Sequence, residues 1–130
     1  MYLLDTNTLI YFFKGQGKVP ERLLAVPPGE IAVPSVTVFE IETGIAKSGQ
    51  PERLRQDLDD LLTMVTVLPF GMPEARSAAK IRAGLESAGI PIGPYDTLIA
   101  ATALANALVL VTRNVREFCR IDGLKVENWF

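Results

Sequence analysis

Short apolar runs alternate along this chain with longer stretches whose apolar residues recur at helical spacing. Tyr2-Leu3-Leu4 closes on Asp5, so residues 2–5 predict a short buried strand, and Asp5-Thr6-Asn7 supplies a turn and a helix N-cap. A helix through 9–13 follows, ending near Gly15-Gln16-Gly17. Ile31-Ala32-Val33-Pro34 predicts a second strand, with Ser35 as N-cap of a helix running to about Lys47 and closed by Ser48-Gly49. Pro51 suits the first turn of the next helix, which carries Leu54, Leu58, Leu61 and Leu62 on one side. Residues 64–68 read as a third strand and 73–88 as a long amphipathic helix, followed by an irregular connector over 89–94. The segment 95–107 is small and apolar on nearly every side, which predicts a helix buried in the domain. A strand at 108–112, a short helix at 115–120 and an edge strand at 124–126 complete the series.

Strands alternating with helices predict an α/β fold, a mostly parallel central sheet flanked by helices on both faces. With 130 residues and no repeat, low-complexity tract or linker, residues 1–130 form one domain. A hydrophobic content of 48% against 22% charged is enough for a core without staples. The lone Cys119 excludes an internal disulfide and a cysteine-rich zinc site, in keeping with a reducing cytoplasm. No apolar stretch reaches the roughly 18 residues of a membrane span, and the acidic, non-basic start argues against a signal peptide. The net charge of −2 neither announces nor excludes a polyanionic partner, since a local basic rim suffices for that.

Charge placement is more informative than charge balance. Asp5 ends an apolar run, Glu40 sits inside Val36-Thr37-Val38-Phe39-Glu40-Ile41, Asp96 opens Asp96-Thr97-Leu98-Ile99-Ala100-Ala101, and Glu117 precedes Phe118. Acids in core-like sequence need a partner, because an unpaired buried carboxylate is costly. The chain has no histidine, which removes the commonest general base and the commonest transition-metal ligand. A hard divalent cation, Mg²⁺ or Mn²⁺, is the partner that suits an all-oxygen donor set. Parallel sheets bind ligands outside the carboxyl ends of their strands, and all four acids can face that end. Gly44 and Ala100, one turn beyond Glu40 and Asp96, leave space beside each carboxylate. Each acid also has an ordinary reading taken singly: Asp5 an N-cap, Glu40 and Glu117 solvated helix positions, Asp96 a first-turn partner of the helix dipole. Their joint placement favours a site.

The stretches Leu3-Leu4-Asp5-Thr6-Asn7, Ser35-Val36-Thr37-Val38-Phe39-Glu40-Ile41-Glu42-Thr43-Gly44 and Gly93-Pro94-Tyr95-Asp96-Thr97-Leu98-Ile99-Ala100-Ala101 resemble the PIN-domain ribonucleases. So do Val111-Thr112-Arg113-Asn114-Val115-Arg116-Glu117-Phe118 and the tail Val126-Glu127-Asn128-Trp129, and within the family the likeness is to VapC-like toxins of toxin–antitoxin pairs. The motifs span essentially the whole chain in family order. The resemblance implies a PIN-like domain with catalytic acids Asp5, Glu40, Asp96 and Glu117, of which Asp5 and Asp96 hold Mg²⁺, with Mn²⁺ as a substitute. The last acid is often aspartate in the family, so the longer Glu117 departs from the pattern. Further implications are hydrolysis of RNA by water, a VapB-like antitoxin as inhibitor, homodimerisation, contact with DNA only through the antitoxin, and a cytoplasmic location. Asn7, Thr112 and Asn114 match polar positions near such a site.

Arg113, Arg116 and Arg120, at i, i+3 and i+7, form either a solvated face or a rim that grips phosphate, with Arg113 and Arg116 the substrate-binding candidates. Arg76, Lys80 and Arg82 read as solvated, and Tyr11-Phe12-Phe13 as core or dimer surface. A phosphoacceptor receiver domain competes on length, fold class and acidic pocket, but wants adjacent acids after the first strand and a lysine after the last; here Asp5 stands alone and Thr112 precedes Arg113. A PIN-like scaffold that binds without cutting has no physical reason to keep four carboxylates.

Overall fold

The structure, a computed structural model, describes residues 1–130. In chain order the elements are β1 (Tyr2–Leu4), α1 (Thr6–Lys14), α2 (Val19–Leu24), a 3-10 turn (Pro28–Glu30), β2 (Ile31–Pro34), α3 (Ser35–Lys47), α4 (Pro51–Leu62), β3 (Thr66–Leu68), α5 (Met72–Ser87), α6 (Pro94–Ala105), β4 (Val109–Val111), α7 (Val115–Phe118) and β5 (Val126–Glu127). Every strand pair is parallel, and the sheet order is β3-β2-β1-β4-β5. The flavodoxin-like receiver scaffold places its second strand at the edge beside the first; here the third strand holds that edge.

Side-chain alternation in the strands builds two cores. Successive strand residues point to opposite faces, so Leu3, Ala32 and Leu110 join one core with Ala78, Ile81 and Leu85 of α5 and Ile99, Ala100 and Ala103 of α6. Leu4, Ile31, Val33 and Val111 join the other, with Leu9 of α1, Ile41 and Ile45 of α3, Leu58 and Leu61 of α4, and Trp129. Because both faces are covered, the strands carry apolar residues at successive positions, as parallel strands do. The small side chains of α6 let it lie close against the sheet and α5, and Thr97 through Ala103, apart from Leu98, are buried there.

Local chemistry explains the boundaries. Asp5 caps α1 by accepting the Thr8 N–H at 2.8 Å. Gly15 ends the helix in the left-handed conformation at φ 66°, and the N–H groups of Gly15 and Gln16 return to Phe12 and Tyr11 carbonyls. Gly17 also has positive φ, and a Cβ there would lie 2.6 Å from the Phe130 carbonyl oxygen. The Lys18 N–H donates to that same oxygen at 2.8 Å, so the chain's last residue docks on the α1–α2 connection. Ser35, expected as the cap of α3, is instead its first residue; Pro34, extended at ψ 147°, occupies the cap position with no side-chain bond. Glu74, buried at the start of α5, is satisfied by the Gly71 N–H at 2.8 Å and the Asn106 side-chain amide at 3.2 Å.

Helix α2 and the 3-10 turn are absent from the sequence-based expectation. Val19 and Leu23 of α2 are buried in the second core together with Leu9 of α1 and Trp129 of the C-terminal tail, contacts that no local pattern announces. The last strand lies later than the expected 124–126: Val126 pairs with Leu110 and Glu127 with Val111. The helix at 115–120 is shorter than expected, ending at Phe118.

Candidate active site

The parallel topology brings the four acids to one edge of the sheet. Strand β1 is central, and the chain turns from building on its β2 side to building on its β4 side, so the switch point lies between β1 and β4. Asp5 follows β1 directly and its N–H donates to the Val111 carbonyl of β4 at 3.2 Å. Helix α3 starts where β2 ends, which places Glu40 near the same edge. Helix α6 leads back into the start of β4, so its N-terminal turn, with Asp96, lies at the opposite, carboxyl end of the strands. Glu117 arrives on α7, just beyond β4.

The convergence is visible in the charges. Burial pushes the Asp96 carboxyl up from 3.8 to about 6, and Asp5, Glu117 and Glu40, in that order, add to the shift by like-charge repulsion. Asp5, only 4% exposed, is also raised by burial, with hydrogen bonding from Thr112 and Thr8 opposing part of the effect. Three of the acids have donors of their own. Asp5 accepts from Thr8, Glu40 accepts from the Thr6 hydroxyl at 2.6 Å, and Glu117 accepts from the Asn114 amide at 2.9 Å. Asp96 has no hydrogen-bond donor within the protein, while its oxygens are not sealed from solvent.

No lysine or arginine neutralises this cluster. The ion pairs of the chain join Arg55 to Glu42 and Asp59 and Arg82 to Glu86, all on the exposed surface. The donor set is therefore a group of like-charged oxygens lacking a cation, which fits Mg²⁺ or Mn²⁺ by charge and by hardness. No group of three or more His, Cys, Asp or Glu side chains stands close enough to enclose an ion. Mg²⁺ does not require such a cage, since it keeps several waters and takes one or two carboxylates. A cavity of about 620 Å³ lies between α5 and α6, lined by residues such as Phe70, Ala78, Leu85 and Leu98; the four acids lie outside it.

The expected substrate contacts divide. Asn7, Arg113 and Arg116 are exposed and Asn114 half-buried. Thr112 differs from the others: it is fully buried, accepts the Asn114 N–H at 3.0 Å and directs its hydroxyl toward Asp5. The three arginines do not share one helix face, because α7 contains only Arg116. Arg113 lies over the Phe130 ring at 3.6 Å and the Tyr11 ring at 5.7 Å, and Arg120 reaches the Pro91 carbonyl at 3.4 Å. Tyr11, Phe12 and Phe13 are half-buried against the core formed by α1, α3 and α4. Sequence reasoning passed over Thr6, Thr8 and Thr37 as site residues, although a threonine directly after the first acid was a usable signal.

Comparison with known proteins agrees with this geometry. The PIN domain family model matches residues 2–124. A tRNA(fMet)-specific endonuclease VapC of Shigella flexneri is 34% identical over 128 residues, covering 98% of this chain and 97% of the relative. Ribonuclease VapC2 of Haemophilus influenzae is 38% identical over 131 residues, covering 98% and 97%. Among solved structures, VapBC2 from Rickettsia felis bound to a promoter DNA fragment superposes with a TM-score of 0.92 at 33% identity, covering 99% of this chain and 98% of the matched chain. DNA-bound VapBC from Salmonella typhimurium also gives 0.92, at 36% identity and the same coverage. With a wholly parallel sheet, acids gathered at its switch point and relatives matched over nearly their full length, this chain belongs to the PIN-domain family, in its VapC group.

Proposed function

We propose that this protein is a divalent-metal-dependent endoribonuclease that acts as the toxin of a toxin–antitoxin pair. The observation that carries the reading is the cluster of Asp5, Glu40, Asp96 and Glu117, four like charges at a ligand-binding sheet edge with no cationic side chain among them. Asp5 and Asp96 would hold the ion. When bound, Mg²⁺ or Mn²⁺ supplies Lewis acidity toward water and charge stabilisation toward phosphate, the chemistry needed to hydrolyse a phosphodiester. Asp5 is fixed by its capping bond and by burial, so it contributes a rigid anchor. Glu40 has Oε1 committed to Thr6, leaving Oε2 to accept a proton from the attacking water. Glu117, oriented by Asn114, completes the acidic centre. With water as nucleophile rather than the 2′-hydroxyl, products carry 5′-phosphate and 3′-hydroxyl ends.

Exposed Arg116 and Asn7 are the side chains free to meet the RNA backbone, and Arg113 joins them from its aromatic seat. A VapB-like antitoxin is the partner proposed, supported by the solved VapBC complexes that this fold matches. Half-buried Phe12 and Phe13 border a hollow of about 310 Å³ with Arg53, Asp57, Asp60, Leu61 and Met64, a seat for a segment of that partner that presents apolar and charged side chains. A homodimer, DNA contact through the antitoxin and a cytoplasmic location belong to the same reading. No helix is long and apolar enough to cross a membrane.

The test is direct. Purified protein is incubated with total RNA in Mg²⁺ or EDTA beside an Asp96→Asn control, and new 5′-phosphate ends are sequenced. Site-specific ends that need metal and vanish in the control support the reading. Equal cutting in EDTA, against an inactive control, overturns the metal requirement.

A further inference from the structure

Glu40 takes its hydrogen-bond donor from a distant part of the chain. Thr6 Oγ1 stands 2.6 Å from Glu40 Oε1 and 3.2 Å from Thr37 Oγ1. A hydroxyl has one proton, and an ionised carboxylate only accepts. The shorter contact therefore takes the Thr6 proton, and the longer one is the Thr37 hydroxyl donating to the Thr6 oxygen. Thr37 is fully buried, so water does not compete for that proton.

Three other helical threonines behave differently. In helices, threonine commonly returns its hydroxyl to the carbonyl four residues back. Thr43, Thr97 and Thr102 do so, bonding Phe39, Gly93 and Leu98. Thr37 lies on the same helix as Thr43 yet turns its hydroxyl across to α1. Thr6 in turn is anchored by its neighbour Asp5, whose N–H is bonded to β4 and whose carboxylate caps α1. The chain of hydroxyls thus links Glu40 of α3 to the strand end that carries the first acid, across sequence separations of 31 and 34 residues.

We propose that Thr37 and Thr6 are positioning residues that act in series, Thr37 orienting the Thr6 hydroxyl and Thr6 fixing Glu40 Oε1, so that Oε2 is presented to the attacking water. Glutamate has one more rotatable bond than the aspartates of the site, and half-buried Glu40 lacks the capping bond that holds Asp5. The two hydroxyls supply the missing restraint. This inference rests on the nuclease reading for its kinetic consequence, and on the geometry alone for its contact.

The test uses Thr6→Val, which keeps shape and removes the hydroxyl, Thr6→Ser, which restores it, and Thr37→Val. Losing a hydrogen bond to a charged group should lower kcat about tenfold to a hundredfold in Thr6→Val, with KM within about twofold. Thr6→Ser should stay within about threefold of wild type, and Thr37→Val should fall between the two, because the Thr6–Glu40 bond survives less well oriented. Independently of activity, Thr6→Val and Glu40→Ala should be non-additive in urea unfolding of the metal-free protein. If Thr6→Val cuts RNA at the wild-type rate while Asp96→Asn is inactive, the positioning role is overturned. If wild type cuts no RNA, the nuclease reading fails, and additivity in the metal-free unfolding cycle then overturns the contact by itself.

Discussion

Replacing Asp96 by asparagine should make the metal-free protein more stable while destroying its activity. In the folded state the Asp96 carboxyl is pushed from 3.8 to about 6 by burial and by Asp5, Glu117 and Glu40. At about 1.36 kcal/mol per pH unit, that difference corresponds to roughly 3 kcal/mol against the folded anion. Asp96 is only half-buried, and solvent screening reduces the figure to about 1.5 kcal/mol. Asparagine also forfeits the attraction between a first-turn anion and the dipole of α6, about 0.3–1 kcal/mol. The combined penalty of burial and like-charge repulsion wins by about 1 kcal/mol, or about 3–5 °C in Tm for a domain of this size. The sign with pH follows from the folded carboxyl titrating above the unfolded one. The folded state then holds the extra proton, so the penalty is absent below about pH 4, grows as pH rises toward about 6, and is complete above it. Urea unfolding in EDTA should show the variant ahead at about pH 7.5 and the gap nearly closed at about pH 4. Mg²⁺ should then stabilise wild type far more than the variant. A variant less stable than wild type at neutral pH, or an advantage unchanged between the two pH values, refutes the charge-cluster argument.

Asp5→Asn should abolish metal-dependent cleavage without unfolding the protein, because asparagine still accepts the Thr8 capping bond; far-UV circular dichroism alongside a cleavage assay checks both halves. Mn²⁺ affinity, followed by electron paramagnetic resonance without RNA, should be flat above about pH 6 and fall about tenfold per pH unit below it, as protons compete for Asp96. Gly17→Ala should cost about 1–3 kcal/mol in urea unfolding, since alanine is strained at φ 62° and its Cβ meets Phe130. Co-expression with a cognate antitoxin should rescue growth and yield a co-purifying complex, and harmless expression of this chain alone would count against the toxin role.

The sequence by itself determined the element alternation and singled out the acids. Apolar runs with no polar alternation already meant strands covered on both faces, and Gly15 marked the end of α1, because these follow from patterns within a few residues. Asp5, Glu40 and Asp96 were legible because acids inside apolar stretches are out of place wherever the chain folds, and the missing histidine left oxygen chemistry. What the tertiary structure decided rests on contacts between distant residues. The sheet order set β1 beside β4 and so gathered the four acids at one edge. Packing placed Thr112 out of reach of solvent, with its hydroxyl toward Asp5. Phe130, at the far end of the chain, sits under the Arg113 guanidinium and leaves room only for glycine at position 17. The Thr37–Thr6–Glu40 chain likewise exists only after α1 and α3 meet. Local periodicity reports which face a residue takes within its own element; which residue it then faces is set by packing between elements that the periodicity does not encode.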